Sequence, residues 1–419
     1  MFNSSRLWRN RDFLCLWTGQ TISTFGTRVT TLALPLTAIT FLNATPFQMG
    51  LLAAGSRSAF ILVGLFAGVW VDRLRRRSVM IWADLGRALL LISIPVAAPL
   101  HNLSIGLLSA VAFLVGGLTF CADIAFDAYV PALVDRELLA NANSAGQLSQ
   151  SVAEVAGPGI AGALIRVFSA PATILLDAAS YLVSALSLVL IRAPEPSVIT
   201  ATEQSMVTGI GIGMRILFGH PWLRTITVAI ALVVFFASMF QGVFVLYLDR
   251  SLHFDAGLIG FVFSAGSVGG IVGATLAPIV ARRMGYGRAA VAGEMVMVLG
   301  GQGYCVVALT TPPHSIAVAL LALTGCFVAG GNALCNVAFF TILQQIVPTR
   351  LFGRVGAAQS VLALGVTGLS GSLVGGLLGS MRSPSATITQ SVMAMLSAVI
   401  WIWFSPLRTA RDLPASTGG

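Results

Sequence analysis

The chain of 419 residues is 56% hydrophobic and 9% charged, with a mean hydropathy of +0.90. A soluble domain carries about 25% charged residues, so a water-soluble globule is excluded. The net charge of +9 rests on arginine alone, since the sequence contains no Lys. That absence excludes a P-loop lysine on ATP and a Schiff base with pyridoxal or retinal. We therefore predict no enzyme and, because the arginines lie singly or in short loops, no nucleic-acid partner.

Twelve apolar segments of about 20 or more residues, the length that crosses a bilayer core, follow one another along the chain. The first six are 13–42, 46–71, 78–98, 103–132, 142–168 and 171–191, and the second six are 223–248, 256–281, 289–309, 315–346, 355–380 and 388–404. The predicted fold is an all-α membrane protein with two pseudo-symmetric six-helix bundles, residues 1–191 and 223–419, joined by a cytoplasmic linker at 192–222.

Arginine-rich loops alternate with arginine-poor loops. Arg73 to Arg77 follow the second span, and Arg282 with Arg283 follow the eighth. The positive-inside rule then places these loops and both termini in the cytoplasm. The absence of Lys, with abundant Ala, Gly and Arg, is typical of a GC-rich bacterial genome. The predicted location of the spans is therefore the bacterial inner (plasma) membrane.

The linker between the halves contains a helical pattern. Met206, Ile210, Met214 and Leu217 share one face of that helix. The pattern predicts a helix lying on the inner membrane surface. A tethered loop without function is the alternative.

Insertion of an ionisable side chain at the bilayer centre costs about 2.5–3.5 kcal/mol of free energy, so each such residue inside a span needs a partner or a water-filled cavity. The first half carries nearly all of them: Arg28, Arg57, Asp84, Arg87, Asp123, Asp127, Glu154 and Asp177. We predict Glu154 as the leading proton carrier, followed by Asp123 and Asp127, which are four residues apart and share a helix face. The alternative is that these carboxylates only neutralise the arginines. In the second half, Glu294 is the main comparable group.

The second half supplies neutral polar and aromatic side chains that would suit a mostly apolar substrate cavity. The candidates are Phe235, Phe236, Gln241, Asn332, Asn336, Phe339 and Phe340. The five cysteines form no C-x-x-C pair and the four histidines are far apart, so no metal site and no cofactor are predicted. A monomer in the lipid bilayer is the default expectation.

The loop after the second span reads Gly68-x-x-x-Asp72-Arg73-x-x-Arg76-Arg77, which resembles the signature loop of the major facilitator superfamily. Further stretches are Leu16-Trp-Thr-Gly-Gln20, Gly157-Pro158-Gly-Ile-Ala-Gly162 and Asp177-Ala-Ala-Ser180-Tyr181. Together they resemble the branch with macrolide-efflux proteins and enterobactin-type siderophore exporters.

The resemblance implies two segments that take part in the conformational change: the signature loop and the fifth span. Asp72 would face the N-terminus of span eleven near Val355, where unpaired amides attract a carboxylate, with Arg73, Arg76 and Arg77 beside it. Arginines that only orient the loop are the alternative. Gly157, Pro158 and Gly162 resemble the antiporter motif of the fifth span, and Pro158 removes a backbone hydrogen bond, which permits bending.

The sequence therefore predicts a proton-driven exporter of amphipathic small molecules that works by alternating access between two bundles. A proton-coupled importer of a small metabolite is the alternative, and a membrane sensor or scaffold that transports nothing is a weaker one. A macrolide, a polyketide, a catecholate siderophore or a dye would each suit the cavity.

Overall fold

A computed structural model describes residues 7–62, 74–135, 138–193 and 206–406. These residues form helices, with no strand among them. The first six helices are α1 (Arg11–Leu42), α2 (Pro46–Leu62), α3 (Arg76–Ala97), α4 (Ile105–Leu133), α5 (Leu139–Phe168) and α6 (Ala170–Val189). They lie at the positions of predicted spans one to six, and the rest of the second span lies outside the described residues.

A short helix, α7 (Met206–Gly219), precedes the second half. The following helices are α8 (Pro221–Arg250), α9 (Ala256–Met284), α10 (Tyr286–Thr310), α11 (His314–Ile346), α12 (Thr349–Ser360), α13 (Gly368–Met381), α14 (Pro384–Ala394) and α15 (Leu396–Trp403). Eleven helical segments of the described chain are long and apolar enough to cross a membrane, with α12 and α13 counted as one segment and α14 and α15 as another.

Local capping explains where the first helix begins and ends. The Asn10 side chain accepts hydrogen bonds from the backbone amides of Asp12 and Phe13, at 3.0 and 3.1 Å. The Asp12 carboxylate in turn accepts from the amides of Arg192 and Ala193, at 3.1 and 3.0 Å, and so ties the start of α1 to the end of the sixth span. Asn43 ends the helix in the left-handed conformation, with φ of 48°, which asparagine tolerates.

The chain divides into two compact units. The first comprises Met1–Ala44, Gly55–Glu203 and Asp255–Gly260, and the second comprises Thr45–Ala54, Gln204–Phe254 and Phe261–Gly419. The start of α2 therefore belongs to the second unit and the start of α9 to the first, an exchange that the two predicted bundles did not include.

The same helix pairings occur in both units. In the first unit α1 packs on α5 and α6, and α3 packs on α4 and α6. In the second unit α8 packs on the eleventh span (α13) and on α14, and α10 packs on α11 and α14. Helix α3 in one unit therefore has the same neighbours as α10 in the other, as a duplicated six-helix unit requires.

Helix α7 lies against protein through its apolar face. Leu217 is 1% exposed and packs with Val355 and Ala358 of α12, and Ile210 and Met214 border the same cluster. The helix comes so close that a Cβ on Gly213 would overlap the backbone of Arg354. The apolar face predicted to lie on the membrane surface thus covers the start of the eleventh span, because α12 offers a matching apolar face.

The eleventh span is not a regular α-helix. Residues Val361–Thr367 between α12 and α13 form a π-helical segment, with one extra residue in each hydrogen-bonded turn. Such segments are rare and are found mostly at functional sites. The sequence contains no proline at this point, so the pattern gave no sign of the interruption.

Candidate site for proton coupling and substrate

A buried ion pair lies on α3. Asp84 is 2% exposed and Arg87 is 7% exposed, and one turn of helix brings the Asp84 carboxylate into contact with the Arg87 guanidinium. Arg87 also donates to Thr119 Oγ1 on α4, at 3.3 Å. The sequence placed these two charges near each other in the same span, and the structure brings them into direct contact.

The Tyr181 side chain of α6 covers this pair. The Arg87 guanidinium carbon lies 4.2 Å from the centre of the Tyr181 ring, which is a cation–π contact. The Tyr181 hydroxyl shares a hydrogen bond of 2.8 Å with Thr27 Oγ1 on α1. Through these contacts Arg87 and Tyr181 connect four helices of the first unit: α1, α3, α4 and α6. Tyr181 was not among the predicted site residues, although it stands four residues after Asp177.

Asp177 is the second buried carboxylate near Arg87. We call the group of Asp84, Arg87, Asp123, Asp177 and Tyr181 the Arg87 network. It is 1% exposed on α6, and one of its oxygens accepts a hydrogen bond from Ser180 Oγ at 3.2 Å. The charge of Arg87 also acts on Asp177. Helix α1 approaches closely here, since a Cβ on Gly26 would lie 2.5 Å from that carboxylate oxygen. Gly26 is therefore required for the packing of α1 on this carboxylate.

Asp123 and Asp127 lie on α4 with their side chains exposed. Asp123 interacts electrostatically with both Arg87 and Asp127. An exposed carboxylate within a spanning helix is stable when it faces a water-filled cavity and costly when it faces lipid. Asp123 therefore belongs to an exposed side of α4 and lies close enough to Arg87 to feel its charge.

Glu154 is exposed on α5, a helix that supplies none of the Arg87 contacts described above. It is the last member of an exposed polar stripe that follows the helical repeat: Asn143, Gln147, Gln150 and Glu154. One turn further on, a Cβ on Gly157 would lie 2.5 Å from the Cβ of Arg28, so α5 packs closely on α1 there. Arg28 on α1 and Arg57 on α2 are half-buried. The periodic stripe is a signal in the sequence that we did not use.

The glycines of the predicted antiporter motif also contact the start of α9. A Cβ on Gly162 would overlap the carbonyl oxygen of Ala256, and a Cβ on Gly260 would overlap that of Pro158. At the end of α5, Arg166 Nε lies 3.6 Å from an Asp255 carboxylate oxygen in an exposed ion pair. The motif therefore forms a close helix contact within the first unit.

Two arginines of the signature loop have specific partners. Arg76 Nη1 donates to the carbonyl of Ala128 in α4, at 2.8 Å. Arg77 donates to the carbonyls of Leu188 and Val189 at the end of α6, at 2.8 and 2.7 Å, where a helix leaves carbonyls unpaired. Gly68, Asp72 and Arg73 lie outside the described residues.

The residues of the second unit that we predicted to line a substrate cavity differ in their exposure. Asn332, Asn336 and Phe340 are exposed on one face of α11, and Asn336 Nδ2 donates to Asn332 Oδ1 at 2.9 Å. Gln241 on α8 is also exposed. Phe339 is 5% exposed and packs in the apolar core with Cys335 and Ala338 of the same helix.

Aromatic residues are concentrated on α8. The half-buried rings of Phe235 and Phe236 lie 5.2 Å apart, edge to face. A second group, further along α8, joins neighbouring helices: Phe240 stacks on Phe244 at 4.4 Å, and Tyr304 of α10 lies 4.9 Å from Phe240. This second group was not among the predicted cavity residues.

Together these features define a class of protein: a multi-span helical membrane protein, built from a repeated unit, with a buried charge network in one unit and an exposed polar face in the other. The family model for the Major Facilitator Superfamily matches residues 16–366. The chain belongs to the major facilitator superfamily of membrane transporters, and the prediction of an all-helical fold of this family is confirmed.

Two relatives in bacteria are efflux proteins. The multidrug efflux pump Tap of Mycolicibacterium fortuitum is 27% identical, over 91% of this chain and 93% of its own length. The enterobactin exporter EntS of Escherichia coli is 25% identical, over 99% of this chain and 97% of its own. The predicted resemblance to drug and siderophore exporters is confirmed.

Solved structures of transporters share the fold. A bacterial homologue of the iron transporter ferroportin, in an inward-facing state, aligns with a TM-score of 0.76 at 16% identity and covers 94% of this chain and 98% of that one. A bacterial homologue of the human lysosomal transporter Spinster aligns with a TM-score of 0.71 at 15% identity, over 97% of this chain and 98% of that one. At these identities the likeness concerns the fold alone.

Proposed function

We propose that this transporter exports amphipathic small molecules across the bacterial inner membrane, driven by the inward flow of protons. The observation that carries the proposal is the Arg87 network, in which one buried guanidinium contacts Asp84 directly and acts electrostatically on Asp123 and Asp177. Buried and membrane-embedded charges are costly to maintain, and in transporters they mark ion and proton pathways.

The network offers a route for coupling because its members differ in access. Asp84 and Asp177 are buried, whereas Asp123 is exposed and feels the charge of the same arginine. A proton that arrives at Asp123 from a wet cavity removes a negative charge near Arg87. Arg87 is then freer to rearrange with Asp84 and Asp177, which lie on two different helices, α3 and α6. Proton binding at the cavity wall thereby biases helix packing inside the first unit.

The exposed polar faces suit an amphipathic cargo. Asn332 and Asn336 on α11 offer neutral hydrogen-bonding groups, and Phe340 adds an apolar ring on the same face. A face of this mixed character binds molecules that combine rings with hydroxyl or amide groups. Glu154 and the polar stripe of α5 form a comparable face on the first unit.

Export rather than import is supported by the names of the relatives, since a multidrug efflux pump and an enterobactin exporter both align over about nine-tenths or more of this chain. In this proposal both termini are cytoplasmic, the start of α3 with Arg76 and Arg77 is at the cytoplasmic side, and α7 covers the start of the eleventh span there.

Accumulation of ethidium and of erythromycin in cells that express or lack the protein tests the direction of transport. We expect lower accumulation on expression, and loss of that effect when a protonophore collapses the gradient. Higher accumulation on expression would make the protein an importer. If expression changed the accumulation of no compound in a wider panel of dyes and antibiotics, the proposal would be contradicted. That result would favour the alternative of a membrane protein that transports nothing.

Two matched variants separate the predicted proton carriers. Asp123→Asn removes the exposed carboxylate that interacts with Arg87, and Glu154→Gln removes the exposed carboxylate outside the network. Because both side chains are exposed, we expect unfolding free energies within about 0.5 kcal/mol of wild type. Efflux driven by a proton gradient should fall at least tenfold in Asp123→Asn, and the loss in Glu154→Gln measures the part played by α5. Full gradient-driven efflux in Asp123→Asn would remove this residue from the coupling route.

A further inference from the structure

Glu294 on α10 is a buried carboxyl group outside the Arg87 network. It is 2% exposed, in the second unit. One carboxyl oxygen, Oε2, accepts a hydrogen bond from the Cys335 thiol of α11 at 3.4 Å. The other, Oε1, is buried without a hydrogen-bond partner among the described residues. We propose that Glu294 is a proton-binding site of the second unit, which holds it as a neutral carboxylic acid.

The surroundings of Glu294 are apolar and tightly packed. Ala290 and Val291, one turn earlier on α10, belong to the same apolar cluster as Cys335 and Ala338 of α11. The two helix backbones come unusually close here, since a Cβ on Gly293 would lie 2.7 Å from the backbone nitrogen of Cys335. Small residues therefore enclose the carboxyl group between two helices.

A charged carboxylate would be poorly stabilised in this position. Burying an ionised carboxylate without a counter-ion is far more costly than burying the neutral acid, so an isolated buried carboxyl group takes up a proton. The titratable group that faces Glu294 is the Cys335 thiol, which is a weak donor and carries no positive charge when protonated. A single weak hydrogen bond to one oxygen cannot replace the hydration of a carboxylate.

The duplicated fold shows what Glu294 lacks. Asp84 and Glu294 are each the ninth residue of their helices, α3 and α10, and these helices have equivalent neighbours in the two units. Three residues after Asp84 stands Arg87, its ion-pair partner. Three residues after Glu294 stands Met297, which is 5% exposed. The second unit therefore keeps the acid and has an apolar side chain where the first unit has the cation.

The chemistry that follows is reversible proton binding inside the second unit. The neutral acid is stable while α10 and α11 are packed together. Its proton leaves only when water or another base reaches the carboxyl group and accepts the proton, which requires these helices to separate locally. This makes Glu294 a candidate proton-binding position in addition to the Arg87 network, and its protonation does not depend on the direction of transport or on the cargo.

Infrared spectroscopy of the full chain in lipid bilayers tests the protonation state directly. The difference between wild type and Glu294→Gln at neutral pH should contain the carbonyl band of one protonated carboxylic acid, lost in the variant. Glu294→Gln should leave the carboxylate bands unchanged. Glu154→Gln, which changes an exposed glutamate, should leave the acid band of Glu294 in place. Loss of carboxylate bands in Glu294→Gln, or no difference at all, would overturn the proposal.

A second variant keeps the test independent of how well Glu294→Gln folds. Cys335→Ala retains the carboxyl group and removes its hydrogen-bond donor, so the acid band should persist at a shifted frequency. An acid band that Cys335→Ala leaves unshifted would contradict the assignment to Glu294. These spectra need no substrate and no gradient, so their failure would leave the proposed export function standing, and failure of export would leave the spectra unaffected.

Discussion

Asp84 and Glu294 occupy equivalent places in two copies of one helical unit, and each copy holds its buried acid differently. In the first unit the acid contacts an arginine one turn away, which lies under the ring of Tyr181. In the second unit the acid has a thiol on one oxygen and apolar neighbours around it. The two units therefore differ in the group that contacts the buried acid, which is the Arg87 guanidinium for Asp84 and the Cys335 thiol for Glu294.

The largest expected effect comes from making the first unit resemble the second. Arg87→Met removes the counter-ion and leaves Asp84 and Asp177 buried without it. Breaking a buried pair by removing one partner typically costs about 3–5 kcal/mol. We expect Arg87→Met to lower the thermal unfolding temperature in detergent strongly, and Asp84→Asn with Arg87→Met to recover part of the loss.

The matched control is Met297→Leu, at the equivalent position of the second unit. This change conserves volume and should cost less than about 1.5 kcal/mol. A stability of Arg87→Met equal to that of wild type would show that the buried acids do not need the cation, and would end the distinction between the two units.

The next effect concerns two close helix contacts, one beside Glu294 in the second unit and one beside Asp177 in the first. A Cβ on Gly331 would overlap the backbone nitrogen of Met297, whereas a Cβ on Gly26 would overlap the side-chain oxygen of Ser180. Backbone cannot move aside as a serine side chain can, so Gly331→Ala should be the more destabilising. Overpacking costs about 1–3 kcal/mol, and we expect Gly331→Ala at the upper end of that range.

Unfolding monitored in detergent checks this order. Gly146→Ala on α5 is the control, since nothing lies within 4 Å of its Cβ position. The control should leave stability unchanged or slightly raised, because alanine favours a helix over glycine. Equal stability of Gly331→Ala and the control would mean that α10 and α11 are not held as closely as the Glu294 site requires.

The smallest expected effect on stability comes from breaking the exposed ion pair of Arg166 and Asp255, in contrast to the buried pair of Asp84 and Arg87. Arg166 and Asp255 are joined at 3.6 Å but their side chains are 70% and 46% exposed. Exposed pairs contribute about 0–1 kcal/mol, because water and salt screen them. Arg166→Gln should therefore change the free energy of unfolding by less than about 1 kcal/mol, and less still at high salt. A loss as large as that of Arg87→Met would mean that burial does not decide the strength of these pairs.

The sequence predicted the parts of this structure that composition and spacing control. Long apolar runs predict the helices, the resemblance of the loop from Gly68 to Arg77 and of further motifs indicates the family, and the single-turn spacing of Asp84 and Arg87 is visible directly. The same spacing argument places Asp123 and Asp127 on one face of α4, where both are exposed. These features depend on residues near each other in the chain.

Features that depend on contacts across the chain could not be predicted from local pattern. Tyr181 covers Arg87 from another helix, and Arg77 binds the end of α6, more than one hundred residues away. The apolar face of α7 is the same whether it meets lipid or α12, so its partner is decided by tertiary packing. The isolation of Glu294 likewise depends on α11, where its hydrogen-bond partner Cys335 lies 41 residues further along the chain.

The central claim is that the movement of cargo is coupled to the movement of protons. Purified protein in sealed liposomes, with ethidium as cargo and an imposed pH gradient, tests it most directly when ethidium flux and internal pH are recorded together. We predict ethidium flux against its gradient, with a simultaneous proton flux in the opposite direction, both abolished by a protonophore and in Arg87→Met protein that remains folded. Ethidium flux of equal size without a pH gradient, or with no change in internal pH, would contradict the account.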